Sequence, residues 1–271
     1  MDIGLLQQKF GRMGARVKLN DQMRVGGVRF ARRAASGIDI RMDAEGEFFD
    51  LRVAPSEQVS YEVIDLRPEK RHLLLMARRE QGRKEKFLCG HDERHWFVCA
   101  VPGAGVAHVR AAMESLQPAE VRRLVNRRVK RVKDRLNRRN EVFVRQGEWF
   151  FIPSPDLATN AAFIHRNEPI SRGRGSKPHM CEQLYRFGGE AVMVCPRHPD
   201  GVTQAQYQHI LRSRPKAKKW DWRPMRRDAL VYVRGRVWHP DHKTIVLADW
   251  HRVLMNTENL APWSDAVVFL D

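Results

Sequence analysis

The stretch IDIRMDAEGEFFDLRV (residues 38–53) is the segment that best indicates the fold class. Apolar and polar residues alternate on both sides of the polar turn Asp43-Ala-Glu-Gly46. A period of two is typical of a half-buried strand, and a short turn containing glycine joins two such strands into a hairpin. The stretch therefore predicts an antiparallel β-hairpin.

Neighbouring segments extend this pattern. Alternation continues over 59–63, and Leu73-Leu-Leu-Met76 is an apolar run of buried-strand length. Two further apolar segments follow at 87–89 and 96–98. Residues 25 to 101 are therefore interpreted as a mostly antiparallel sheet, and a helical pattern precedes it from Asp2 to Arg16.

The C-terminal half is again rich in strand patterns. Trp149-Phe-Phe-Ile152 is a strand candidate, and Leu184 to Cys195 is predicted to be a hairpin that turns at Gly188-Gly189, because glycine supplies the positive φ of a tight turn. A short helix is expected at Gln204 to Arg212. The segments 232–238 and 244–253 predict a last hairpin.

A strongly basic window separates the two halves. Between Pro118 and Asn140, apolar residues recur at helical spacing, which predicts one helix of about 34 Å. The same window holds ten basic residues against Glu120 and Asp134. We expect the charges to form a ridge opposite the apolar stripe.

These elements predict an α+β protein with two β-rich lobes of mostly antiparallel strands, joined by a basic helical segment. The expected boundaries are an N-terminal lobe at 1–105 with its leading helix, the basic segment at 106–140, and a C-terminal lobe at 141–271.

The C-terminal half carries two short motifs. Arg145-Gln-Gly-Glu148 opens an apolar strand, and the doublet His239-Pro-Asp-His242 precedes the alternating strand Thr244-Ile-Val-Leu247. From Arg145 to Glu258 the chain resembles an uncharacterised bacterial β-rich domain that opens with an Arg-Gln-Gly-Asp step, which Glu148 departs from here. The resemblance implies a β fold and brings no activity with it.

The net charge points to a polyanionic partner. The 271 residues carry 49 Lys and Arg against 32 Asp and Glu, a formal charge of +17. Fixed cations along a ridge release counterions from a phosphate backbone and so provide affinity that does not depend on base sequence. The alternatives are a solvated helix face or an acidic protein or lipid surface.

A second basic cluster contains aromatic residues. Trp220 and Trp222 are two positions apart, which on a strand places both rings on one face, where unpaired bases can stack. Core packing is the alternative. The predicted nucleic-acid-binding residues are Arg122, Arg123, Arg127, Arg128, Lys130, Arg131, Arg135, Arg138, Arg139, Arg172, Arg174, Lys216, Lys218, Lys219, Trp220, Trp222, Arg226 and Arg227. Stacking aromatics and the lack of a helix-turn-helix, zinc-finger or homeodomain pattern favour RNA over DNA.

Two histidine groups are candidates for chemistry. His239, His242 and His251 are the candidate catalytic residues of a metal- or histidine-dependent nuclease, together with Asp241. The alternative is a plain turn stabilised by Pro240 and by hydrogen bonds of Asp241 to its own backbone.

The candidate metal ligands, for zinc or another divalent ion, are His179, Cys181, Cys195 and His198, which flank the predicted Gly188-Gly189 hairpin. In a regular hairpin, His179 faces His198, and Cys195 points to the other side. Three ligands then share a face, and a fourth requires a bulge.

The function predicted from the sequence is nucleic-acid binding, with RNA favoured, as part of a ribonucleoprotein with protein partners or as an accessory to RNA processing or defence, and with no required cofactor. The first alternative is a metal- or histidine-dependent nuclease that acts on RNA or DNA, and the second alternative is a structural subunit that docks on an acidic protein. Four scattered cysteines, no leader pattern and no apolar run of membrane length predict a cytoplasmic, non-membrane protein. P-loop, dinucleotide-binding and serine-hydrolase motifs are absent from the sequence.

Overall fold

A computed structural model of the chain describes residues 2–21, 36–54, 57–103, 105–172 and 177–260. Within these ranges it contains four α-helices and sixteen strands, and the predicted α+β class with mostly antiparallel sheets is confirmed. The helices are α1 (Ile3–Arg12), α2 (Val109–Ser115), α3 (Ala119–Arg128) and α4 (Gln204–Ser213). None of them has the length and apolar content needed to cross a bilayer.

The strands form four sheets. A three-stranded sheet contains β1 (Val17–Asp21), β2 (Gly37–Asp43) and β3 (Gly46–Val53), in the order β1-β3-β2. A four-stranded sheet follows chain order: β4 (Val59–Arg67), β5 (His72–Arg79), β6 (Lys84–Asp92) and β7 (His95–Ala100). The six-stranded sheet has the order β10-β11-β15-β16-β9-β8, with β8 (Val144–Gln146), β9 (Trp149–Pro153), β10 (Ile164–Ile170), β11 (His179–Phe187), β15 (Leu230–His239) and β16 (His242–Met255). The last sheet has the order β13-β12-β14, with β12 (Glu190–Cys195), β13 (His198–Thr203) and β14 (Arg223–Arg227).

The chain divides into two compact units. The first ends at Arg123 and takes in the segment that begins at Asn256, and the second runs from Leu124 to Met255. The division falls inside α3, within the basic helical segment predicted at 106–140.

The first unit buries the strand β5 on both of its faces. Leu73 and Leu75 pack with Phe49 in one apolar cluster, while Leu74 packs with Val109 of α2 in another. Burial on both faces explains why this run is continuously apolar and does not alternate.

The hairpin at residues 38–53 is confirmed: Ile38 pairs with Leu51 and Ile40 with Phe49. It belongs to a separate sheet from β4–β7, because β1 pairs in parallel with the other edge of β3. The described residues of the range 25–101 therefore form two sheets where one was predicted, and 25–35 lie outside the described residues.

The predicted 34 Å helix is wrong, since α3 ends at Arg128 after 10 residues. Polar side chains downstream bond to the backbone and compete with helical hydrogen bonds. The Arg135 guanidinium donates to the carbonyl of Val129, and the Asn140 amide oxygen accepts from the N–H groups of Val142 and Phe143. The basic residues beyond the helix consequently lie on an irregular turn.

The predicted hairpin at 184–195 is also wrong. β11 pairs with β10 and β15, whereas β12 pairs with β13 and β14, so Gly188-Gly189 connects two different sheets. Both glycines have positive φ, and a Cβ on Gly189 would lie 2.7 Å from the carbonyl oxygen of Arg227. At position 189, glycine is thus required by the close approach of the end of β14 rather than by a hairpin turn.

Candidate functional site

Three histidines meet at one end of the neighbouring strands β11, β15 and β16. His239 and His242 face each other across the two-residue turn of the β15–β16 hairpin. Met180 pairs with Trp238, which places the preceding residue of β11, His179, beside His239. The sheet register therefore assembles the cluster from residues far apart in the chain.

The imidazoles of this histidine cluster are close enough to act on one ligand. One nitrogen of each ring lies within 4.8 Å of the corresponding nitrogens of the other two. The ring centroid of His179 is 4.3 Å from that of His239 and 5.4 Å from that of His242, and both pairs are stacked.

The turn between β8 and β9 packs against the cluster. The side-chain amide of the buried Gln146 donates to the carbonyls of Val237 and Lys243, one on each strand of the hairpin. The next residue, Gly147, has a φ of +56°, and a Cβ there would lie 2.8 Å from Nε2 of His242. The Arg-Gln-Gly-Glu and His-Pro-Asp-His motifs, remote in sequence, therefore meet in space.

The most buried member of the cluster is His179, with 1% of its surface exposed. Burial, reinforced by the two neighbouring imidazoles, lowers the pKa of His179 to about 3. Neither of its ring nitrogens has a hydrogen-bond partner among the described residues. A neutral imidazole without such bonds is a ready acceptor for a Lewis acid.

His239 is held by the turn that follows it. The backbone N–H of Asp241 donates to Nδ1 of His239 at 3.1 Å, and the Asp241 carboxylate accepts from Nζ of Lys177. Burial lowers the pKa of His239, and the Asp241 carboxylate and a hydrogen bond with the backbone of Lys177 oppose that shift. Because Nδ1 already accepts from Asp241, another ligand must bind Nε2 and replace the hydrogen bond that the ring makes with Lys177.

His251, the third candidate catalytic residue, does not join this group. It pairs with Val233 and Pro153, about six residues along β15 from His239, or roughly 20 Å at the usual rise of a strand. Its Nδ1 lies 2.7 Å from the carbonyl oxygen of Asp249, and burial lowers its pKa. The structure brings His239 and His242 together with His179 instead.

The four candidate metal ligands are divided between two sheets. Cys181 is buried in the apolar cluster of the six-stranded sheet, where burial raises the pKa of its thiol to about 12. Cys195 pairs with His198 across the β12–β13 turn, so the expected pairing of His179 with His198 is wrong. Of the four, His179 alone belongs to the cluster of candidate ligands found among the described residues.

A basic groove lies where the chain leaves α3. Four cationic residues, Arg128, Lys130, Arg131 and Arg139, line a surface depression of about 560 Å³, together with Asp134 and Glu141 among others. All four cationic residues are exposed. We call this surface the basic groove.

The predicted nucleic-acid-binding residues differ in availability. Arg122, Arg123 and Arg127 are exposed on α3. Arg135 donates to Val129 and Asn126, so it stabilises the turn that forms the groove. Arg138 is half-buried, with its pKa lowered by burial and by Arg145. Arg172 is exposed, and Arg174 lies outside the described residues.

The second basic cluster surrounds packed aromatic rings. Trp220 and Trp222 stack with centroids 5.8 Å apart, and His198 stacks on Trp222 at 5.6 Å. Both tryptophans are half-buried. They precede β14 in the chain, whereas the sequence placed them on a strand. Lys216, Lys218 and Lys219 are exposed beside them. The other two members are engaged, since Arg226 donates to the carbonyls of Gly188 and Gly189 and Arg227 pairs with Glu190.

Comparisons of the chain with protein-family models, with curated proteins and with solved structures found no match.

The sequence analysis did not identify Gln146 and Gly147, which pack against the histidine cluster, as candidate site residues. The Arg-Gln-Gly-Glu motif could have indicated them, because a glycine next to a strand often marks a place where another part of the chain approaches closely.

Proposed function

We propose that this protein binds nucleic acid, with RNA as the favoured partner, and that the phosphate backbone lies in the basic groove. The observation that carries the proposal is the state of the cations there. Arg128, Lys130 and Arg131 of the groove and the preceding Arg127 of α3 are exposed, and none forms an ion pair with a carboxylate of the described residues. Cations placed in this way are available to an external polyanion.

Charge density supports a phosphate chain over a single anion. The groove has room for a nucleotide-sized group, and further exposed arginines continue onto α3. Arginine presents a planar fork of donors that binds phosphate oxygens in pairs. Several such contacts in succession suit a chain of phosphates better than one isolated anion.

The aromatic cluster favours RNA. Half-buried tryptophans flanked by exposed lysines resemble the surfaces on which unpaired bases stack while cations hold the backbone. Duplex DNA offers no unpaired bases, so this cluster adds affinity only for strands with unpaired segments.

Binding of a labelled single-stranded RNA and of a DNA duplex of equal length, measured by fluorescence polarisation at several salt concentrations, tests the proposal. We expect the RNA to bind more tightly, with an affinity that falls with salt with a logarithmic slope of about −3 or steeper, since four phosphate contacts alone give about −3 for a single strand. Affinity that salt does not change, or no binding of either nucleic acid, would reject the proposal and favour docking on a protein.

A further inference from the structure

From the histidine cluster we infer that His179, His239 and His242 form a site for one transition-metal ion, with zinc as the best match. The site does not depend on nucleic-acid binding, and it combines residues of the two histidine groups singled out in the sequence. Its donors come from strands β11, β15 and β16.

The distances between the three imidazole nitrogens are compatible with a metal site whose ion has not yet bound. Zinc bonded to imidazole nitrogens at about 2.0–2.1 Å in a tetrahedral arrangement holds its ligand atoms roughly 3.4 Å apart. The three nitrogens lie within 4.8 Å of one another, and the stacked rings must rotate about their side-chain bonds to bring the nitrogens to ligand distance. Main-chain pairing already fixes the backbone of all three residues.

A buried polar group without a partner is the second, independent observation. His179 is 1% exposed, and both of its ring nitrogens lack hydrogen-bond partners among the described residues. An unsatisfied buried polar group destabilises the folded protein, and a metal bond at one nitrogen removes part of this destabilisation. Gly147 leaves open the space in which a Cβ would contact Nε2 of His242 and of His179.

The donor set selects the class of metal. Three imidazoles suit zinc and neighbouring first-row ions, whereas magnesium and calcium require oxygen ligands. Three histidines with a fourth position for water or substrate is the pattern of catalytic zinc, while structural zinc is usually held by four protein ligands that include cysteine. The cluster found among the described residues has three ligands and no cysteine.

The three ligands are not equivalent. His239 already accepts a hydrogen bond at Nδ1 from Asp241, so in its neutral form the proton lies on Nε2. A metal that binds Nε2 displaces that proton to Nδ1 or to solvent. With a proton on Nδ1, the ring can no longer accept the hydrogen bond from the backbone N–H of Asp241. We therefore expect His239 to contribute least to affinity.

Calorimetric titration of chelator-treated protein with Zn²⁺ tests the inference. We expect one ion per chain, no binding of Mg²⁺ at millimolar concentration, and at least about 100-fold weaker Zn²⁺ binding in His179→Gln and His242→Gln, since loss of even an outer-shell partner costs 10–100-fold. His239→Gln should weaken binding by about 10-fold. With Co²⁺, the visible spectrum should show tetrahedral coordination without a thiolate charge-transfer band.

Matched controls separate this site from the alternatives. His251→Gln removes a buried histidine of the same sheet, and His198→Gln and Cys195→Ala remove two of the other candidate ligands. All three should bind Zn²⁺ within about twofold of wild type. The half-buried His242 provides the test if the buried His179 variant does not fold. The absence of Zn²⁺ binding by the wild type, or its loss in the control variants only, would overturn the inference.

Discussion

Reversing the charge of Arg127, Arg128, Lys130 and Arg131 to glutamate should weaken RNA binding by at least about 100-fold at roughly 150 mM salt. The change removes four phosphate contacts and places carboxylates where the strand is proposed to lie. The salt slope should also fall by about 3. Fluorescence polarisation across a salt series measures both quantities.

The variant should remain folded. These side chains are exposed and outside the apolar core, so the loss of stability comes mainly from charges at the end of α3, at about 0.3–1 kcal/mol each. Arg135 is left unchanged because its bonds to Val129 and Asn126 hold the turn. Circular dichroism and a denaturant titration check that the fold is retained.

A matched control variant reverses four exposed basic residues of the first unit, which changes the net charge equally. Suitable positions are Arg12, Lys70, Arg83 and Lys84. RNA binding should decrease only modestly in this variant, through the general field of the protein. Equal losses in the two variants would show that total charge, rather than the basic groove, determines binding.

Gly147→Ala should lower the free energy of unfolding by about 2–4 kcal/mol, from left-handed backbone strain and overpacking together. The new Cβ would lie 2.8 Å from Nε2 of His242 and 3.3 Å from Nε2 of His179. Displacement of these rings should also reduce the affinity for Zn²⁺. Guanidinium denaturation and calorimetry measure the two effects.

Gly188→Ala is the control, since Gly188 has a φ of +71° and no heavy atom within 4 Å of the added Cβ. It should show the backbone strain alone, about 1 kcal/mol, with Zn²⁺ affinity unchanged. If both substitutions destabilise the protein equally, the close approach of Gly147 to the cluster has no energetic importance.

Local patterns correctly predicted the hairpins at residues 38–53 and 232–253, because alternation and a short turn are properties of neighbouring residues. The prediction of the long helix was wrong because the spacing of apolar residues contains no information about side chains such as Arg135 and Asn140. Their hydrogen bonds to the backbone compete with those of a helix. Gly188-Gly189 was misinterpreted for a related reason: positive φ is needed both in a tight turn and where another strand approaches closely.

The histidine cluster depends on non-local pairing. His239 and His242 are joined by a turn that the sequence shows, but the contribution of His179 requires the register between β11 and β15. Once Gly188-Gly189 is taken as a hairpin turn, His179 is assigned to the wrong partners. The proximity of Gly147 arises in the same way, from the bonds of Gln146 to both strands of the β15–β16 hairpin.

Ultraviolet cross-linking of bound single-stranded RNA, followed by mass spectrometry of the linked peptides, most directly tests whether the basic groove holds the strand. The account predicts cross-links concentrated in peptides from residues 122–143, with further ones near Trp220 and Trp222. Cross-links confined to the first unit, or to strands remote from the groove, would contradict it.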